Sequence, residues 1–176
     1  MSESDLEKRL GELLPRMWRL ALVLCGHRET AEDLVQAACV RALERREQFR
    51  AGSRLDSWVF TILSSIWKNH LRSEAIRRGN GLLDATEALQ VDGVRQLESN
   101  ILANEVLSKI GQLPEAQRVV VVLVYVEGFA YREAAEVLDI PIGTIMSRLA
   151  AARKTIAAQS GETARVGGTG KAGGHL

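Results

Sequence analysis

Residues 131–154 read YREAAEVLDIPIGTIMSRLAAARK, and the fold of the chain turns on how this stretch is read. Two runs of helical character flank Asp139-Ile140-Pro141. In the first, Ala134, Ala135, Val137 and Leu138 supply small and apolar contacts, and Ala135 lets a second helix cross closely. Pro141 and Gly143 shape the entry to the second run. There Ile145, Leu149, Ala152 and Ile156 recur at i, i+4, i+7 and i+11, the spacing of a buried stripe. Two helices joined by so short a turn have the dimensions of a helix-turn-helix. Thr144, Ser147, Arg148 and Ala151 then point outward, with Arg153 and Lys154 near the end. In a DNA reader the early residues of such a helix enter the major groove and later basic ones meet phosphates. Spacing alone slightly favours a plain helical hairpin with a solvated face, because such hairpins are common.

Outward from this pair the periodicity stays helical. Leu6, Leu10, Leu13, Leu14, Met17, Trp18, Ala21 and Leu24 predict a first helix over 5–25, which Pro15 bends or divides. A second opens at Glu29 or Thr30 and runs to about Glu47, with Ala31, Leu34, Val35, Ala38, Val40 and Leu43 as its apolar positions. FRAGSRLD, 49–56, is a loop, and a third helix runs from about Asp56 to Arg78 with a basic distal half. PEAQRVVVVLVYVEG, 114–128, is β-branched enough for a strand, but no second strand exists to pair with it, so a helix is expected. The fold class is therefore all-α, in two small helical domains: 1–78 and 101–160. Between them 79–100, with Gly79, Gly81, Gly93 and scattered apolar residues, reads as a flexible linker. The glycine-rich 161–176 reads as a disordered tail.

Composition excludes several classes. With 46% hydrophobic and 26% charged residues the chain fits a soluble globular protein. Its longest apolar run, Val119 to Val126, falls far short of the ~20 residues that span a bilayer, so no membrane insertion is expected. The N-terminal MSESDLEKRL is charged throughout, unlike a secretory signal, and the expected compartment is the cytoplasm. Cys25 and Cys39 form no CxxC pair. Cys25-Gly26-His27 lacks the ligand count of a zinc site, so buried thiols are expected and no metal. His27, His70 and His175 are scattered, and no glycine-rich phosphate loop follows a strand. Neither an enzyme nor a cofactor is expected. The net charge of +1 hides a partition: 14 Lys+Arg against 11 Asp+Glu in 1–78, and one against four in 79–100. Any nucleic-acid contact must come from local clusters such as KNHLRSEAIRR, 68–78.

Two blocks carry a family resemblance. Leu113-Pro114, Gly128, Tyr131, Glu133-Ala134-Ala135, Pro141, Gly143-Thr144 and Ser147-Arg148 follow in the order of region 4 of the bacterial extracytoplasmic-function (ECF) sigma factors, and the stretch resembles it throughout. Independently, AEDLVQAACVRALERREQF, 31–49, is similar to region 2 of that family, with Glu32-Asp33-Leu34-Val35-Gln36 as its hallmark. FRAGSRLDSWVFTILSSIWKNHLR, 49–72, resembles the adjoining part that handles the −10 element. The resemblance covers about residues 6–158.

It implies a sigma factor that binds core RNA polymerase, through the β′ clamp helices and the β flap, and directs it to promoter DNA under an anti-sigma factor. Polymerase docking falls to Glu32, Asp33, Gln36 and Arg41, on one polar face whose solvated alternative is plain. The −10 strand, read single-stranded, falls to Arg50, Ser53, Arg54 and Asp56 in the loop and to Ser65, Lys68, Asn69, Arg72, Arg77 and Arg78 on the helix. Ser65 stands where the family often has Asn. Trp58 and His70 read as a core residue and an exposed polar one. The −35 duplex falls to Thr144, Met146, Ser147, Arg148, Ala151, Arg153 and Lys154, where Met146 replaces a frequent Lys or Arg and LAAARK, 149–154, is sparse in polar side chains. Two rivals stand beside this reading. One is a sigma mimic that occupies an anti-sigma factor without contacting DNA. The other is a helix-turn-helix repressor that needs no polymerase-facing helix.

Overall fold

The computed structural model describes residues 3–50, 52–78 and 109–166, and every element among them is helical. The expected linker, 79–100, and the first residues of the second expected domain, 101–108, lie outside the described residues.

Helix α1, Glu3–Cys25, is unbroken. Pro15 neither divides nor ends it. The ring of Pro15 crowds the carbonyl four residues earlier, a cost that an interior proline normally imposes on a helix. Leu10, Met17 and Leu20 bury both halves of the helix in the core, and this packing outweighs that cost. Helix α2, Arg28–Glu44, stops short of Glu47 and gives way to a 3-10 turn, Arg46–Gln48. Its buried positions are Ala31, Leu34, Val35, Ala38 and Ala42. Val40, expected in that stripe, is instead 56% exposed. Helix α3, Leu55–Arg77, buries Leu55, Val59, Phe60, Ile62, Leu63, Ser64 and Trp67. Trp58 is half-buried against the core, its ring tilted on Phe49 with centroids 5.3 Å apart.

The valine run forms helix α4, Glu115–Val121, and continues as a π-helical turn, Val122–Val126. β-Branched side chains crowd a helix, but here Val119 to Leu123 are all buried, and tertiary burial outweighs that penalty. The π turn closes with the Glu127 N–H donating to the Val122 carbonyl at 2.9 Å, and Gly128 stops the helix at φ 73°. Helix α5, Tyr131–Leu138, and helix α6, Ile142–Val166, complete the pair. The α6 backbone runs past Ser160 into the segment expected to be a disordered tail. Between α5 and α6 Asp139 takes the left-handed conformation, φ 49°, which a short polar side chain tolerates.

One continuous apolar cluster joins α1, α2 and α3 to α4, α5 and α6. The helix-turn-helix half is thus packed on the first half, with α3 against α5, α1 against α4, and Phe60 against Phe129 at 5.5 Å. No described helix is long and apolar enough to cross a membrane. Cys25 is buried and Cys39 half-buried, and both are free thiols raised above the usual thiol range by burial.

Candidate functional site

Three surfaces collect the residues singled out by sequence. On α6, Ile145, Leu149 and Ala152 are fully buried and Ile156 is partly buried, so the opposite face is fixed outward. Met146, Ser147, Arg153 and Lys154 are exposed there, and Thr144, Arg148 and Ala151 are half-exposed. The Ser147 hydroxyl donates to the Thr144 carbonyl at 3.0 Å, a local bond that a base edge would have to displace. Arg148 also lies within electrostatic reach of Glu115: its charge counters the burial that raises the Glu115 carboxyl above the usual carboxylate range. Ile142, 44% exposed, and Met146, 52% exposed, give this face more apolar character than its charges suggest.

On α2, Glu32, Asp33 and Gln36 are exposed and Arg41 is half-buried. Glu32 is held by Arg28 at 3.1 Å, an exposed i,i+4 pair of small energetic weight. Val40 stands at i+7 from Asp33 and i+4 from Gln36, on their face. A single exposed valine is ordinary on a protein surface, and only its place beside Asp33 and Gln36 sets Val40 apart. Sequence reasoning missed it because its apolar character assigned it to the core.

On α3 the residues divide. Ser65, Asn69 and Arg72 are exposed at i, i+4 and i+7 and form a polar ladder. Thr61, also exposed, extends it by one turn at the same spacing, a residue legible from the periodicity but not singled out. Arg77 and Arg78 are exposed at the far end, where Arg78 meets Glu74 at 3.3 Å. In the loop Arg50 is exposed, and the Ser53 hydroxyl donates to the Arg50 carbonyl at 2.7 Å, which shapes the turn. His70 is exposed as expected, stacked on Trp67 with centroids 5.3 Å apart.

Arg54 and Lys68 reach the other half of the chain, and Asp56 stands beside Arg54 in its own half. Arg54 donates from Nη1 to both oxygens of Glu133, at 3.0 and 3.1 Å, and lies 4.6 Å from the Phe129 ring centroid. Its Nε and Nη2 meet Asp56 at 3.1 and 2.9 Å. Asp56 also accepts from Arg16 at 3.0 Å and from the Ser57 N–H at 2.9 Å. Burial pushes its carboxyl upward, but the bonds from Arg54, Arg16 and Ser57 outweigh this and hold it below the usual aspartate range. Lys68 donates to the Leu138 carbonyl and lies 3.6 Å from Asp139. Beside them Glu127, its side chain only 1% exposed, accepts from Arg16 at 2.6 Å and from Arg19 at 2.7 Å. No local pattern signals this cluster, whose bonds between the two halves join residues 70 to 111 positions apart.

A bundle carrying a polar helical face, joined to a helix-turn-helix, defines a two-part transcription factor of the sigma-70 type. Residues 10–76 match the family model Sigma-70 region 2, and residues 103–156 match Sigma-70, region 4. The chain is 32% identical over 145 residues to the ECF RNA polymerase sigma factor EcfG of Rhodopseudomonas palustris, covering 82% of this chain and 79% of that protein. It is 31% identical over 134 residues to the ECF sigma-E factor of Escherichia coli K12, covering 70% of each. Among solved structures, the sigma factor RpoE in complex with the anti-sigma factor NepR from Bartonella quintana superposes with a TM-score of 0.67 at 29% identity, over 86% of this chain and 94% of that one. The anti-anti-sigma factor PhyR shares the fold at 17% identity and a TM-score of 0.54, over 88% of this chain and 50% of that one. The chain belongs to the ECF RNA polymerase sigma factors.

Proposed function

We propose that this chain binds core RNA polymerase and carries it to promoters in which 1–78 reads the −10 element as single-stranded DNA and 101–160 reads the −35 duplex. The reading rests on one observation above others: an exposed acid-and-amide face on α2 occurs in the same chain as a helix-turn-helix whose outward face is polar and basic at its end. A repressor needs only the second of these.

In this reading Asp33, Gln36 and Glu32 accept hydrogen bonds from an arginine-rich helical partner, with Arg41 at the edge. Thr61, Ser65, Asn69 and Arg72 line the path of the melted strand, Arg50 and Ser53 frame the extruded base, and Arg77 and Arg78 meet phosphates. Thr144, Met146, Ser147 and Arg148 approach −35 base edges, Ala151 lets the backbone come close, and Arg153 and Lys154 hold phosphates. Residues 79–100 tether the two domains, and an anti-sigma factor controls the whole. Polymerase performs the chemistry, and this chain needs no cofactor for its part.

The sigma-mimic reading draws on the alanine-rich α6 and on the shared fold with PhyR, a likeness of fold alone. Run-off transcription from a genomic library, with purified core polymerase plus this chain, separates the readings. Discrete start sites that depend on the chain support the sigma reading. Tight core binding without any start site would refute promoter recognition, and absence of core binding would leave a repressor or a mimic.

A further inference from the structure

We propose that the chain closes on itself, and that Glu127 is the latch that holds the helix-turn-helix half against the first half and withholds Arg54 and Lys68 from nucleic acid. The sequestering part of this inference rests on the −10 reading above. The closure does not.

The geometry is that of a row of carboxylates answering a row of cations. Glu127 takes Arg16 and Arg19 on its two oxygens, at 2.6 and 2.7 Å, and its backbone carbonyl takes a second Arg16 nitrogen at 3.5 Å. Glu133 takes Arg54, and Asp139 with the Leu138 carbonyl takes Lys68. Farther along, the Trp67 indole N–H donates to Glu115 at 3.3 Å. In these bonds the acceptors belong to 115–139 and the donors to 16–68; the Arg118 bond to the Val23 carbonyl runs the other way. The helix-turn-helix half thus offers acceptors to Arg54 and Lys68 at positions that strand phosphates would otherwise fill, and both ligands cannot hold these cations at once.

The latch is placed by the π turn. A helix that kept α-helical pairing through Val122–Val126 would carry Glu127 round to a different side. The extra residue in the turn sets it beside α1, where it meets Arg16 and Arg19, and Arg16 itself lies 5.4 Å from the Phe60 ring centroid. In so dry a position charge-assisted bonds are strong.

Closure also carries an opposing strain. Arg118, 1% exposed, is buried between α1 and α4, where its Nε donates to the Val23 carbonyl at 3.3 Å and its Nη1 to the Gly111 carbonyl at 3.1 Å. Its Nη2 is buried without a hydrogen-bond partner. A guanidinium keeps its charge, so this is a buried cation with one nitrogen unsatisfied, and parting the two halves would hydrate it. The same boundary therefore contains a strong clasp and a group that gains from release, the composition of a reversible closure.

The test uses the full chain. Small-angle scattering and amide hydrogen exchange are compared for the wild type, Glu127→Ala and Arg19→Ala, the last a change at a partly exposed residue that threatens folding little. The wild type should be compact, and both variants should expand. Exchange should quicken at amides of 55–60 and 127–133 while α2 keeps its protection. Affinity for a random-sequence single-stranded DNA should tighten about tenfold or more, since a closed chain binds only through its open fraction. An already extended wild type, or variants with unchanged dimensions and exchange, would overturn the latch. Expansion with unchanged DNA affinity would overturn the sequestering of Arg54 and Lys68 while upholding the latch. Arg118→Met should slow exchange along the same boundary, and faster exchange there would overturn the opposing strain. Failure of the wild type to support run-off transcription would refute the promoter reading and leave the scattering result as it stands.

Discussion

Val40→Ser should leave the fold intact and weaken binding to core polymerase. Val40 is 56% exposed, and no core cavity opens when it is shortened. A surface substitution of this kind changes stability by about 0.5 kcal/mol or less. Fully burying a valine is worth roughly 1.5–3 kcal/mol. Only the fraction still exposed can be covered by a partner, so docking on this face draws roughly 0.8–1.7 kcal/mol from Val40. At ~1.4 kcal/mol per tenfold, that predicts a dissociation constant roughly four- to sixteenfold weaker. The measurement is a titration of fluorescently labelled chain with core polymerase, alongside thermal unfolding of the free chain. Leu34→Ala serves as contrast: at 5% exposure it should cost about 2–5 kcal/mol of stability. An affinity for core within twofold of wild type, at unchanged thermal stability, would refute the argument and place Val40 outside the interface.

Two further outcomes are expected. Arg148→Ala should relax −35 discrimination at one position, at a cost of ~1–3 kcal/mol there, whereas Lys154→Ala should weaken all sequences alike; binding to every single-base variant of the −35 element decides this. Asp56→Asn should destabilise the chain at neutral pH, because the folded-state pKa of Asp56 is depressed: its contribution is present above the ordinary aspartate pKa and is lost as pH falls through the folded value. Denaturation midpoints measured from neutral to acid should therefore converge for mutant and wild type at the acid end, and a constant gap across the range would remove the charge from the explanation.

What could be read in advance followed from periods shorter than a helical turn or two. The stripe Ile145, Leu149, Ala152 and Ile156 is buried as the 3.6 spacing requires. The valine run became a helix because no partner strand was available. Val40 failed because residue type was allowed to outvote angle. At ~100° per residue it lies about 200° from Ala38, whereas Ala42 lies about 40° away and is the residue that is buried. Pro15 failed to break α1 because the helix is buried on both sides of it, through Leu10 before and Met17 and Leu20 after. The π turn and the docking of the two halves had no signal at all. The first depends on a local i+5 pairing that valine does not encode, and the second on contacts such as Arg16 with Glu127 that join residues on different helices. Glu127 carried no role in the sequence, and Glu133 entered only as part of the Glu133-Ala134-Ala135 resemblance.

The bonds at that boundary are not equal in what opening would remove. Arg16 and Arg54 each keep Asp56, which belongs to their own half. Glu133 keeps the Ala130 N–H, 2.7 Å away, which it accepts as the first turn of α5 forms; Ala130 has no side-chain acceptor, so this one carboxylate does all the capping there. Asp139 is 91% exposed at its side chain and Lys68 and Arg19 are partly so, and water replaces their partners readily. The described bonds of the Glu127 carboxylate, in contrast, all cross to α1. Most of the charged groups can therefore change partners at small cost while the helix-turn-helix stays folded, and the balance between closed and open chain should depend most steeply on Glu127. This also separates it from Arg54 in experiment. Altering Arg54 removes a group expected to touch the melted strand and mixes two effects, whereas altering Glu127 changes the equilibrium between the halves and leaves every residue proposed to meet DNA in place.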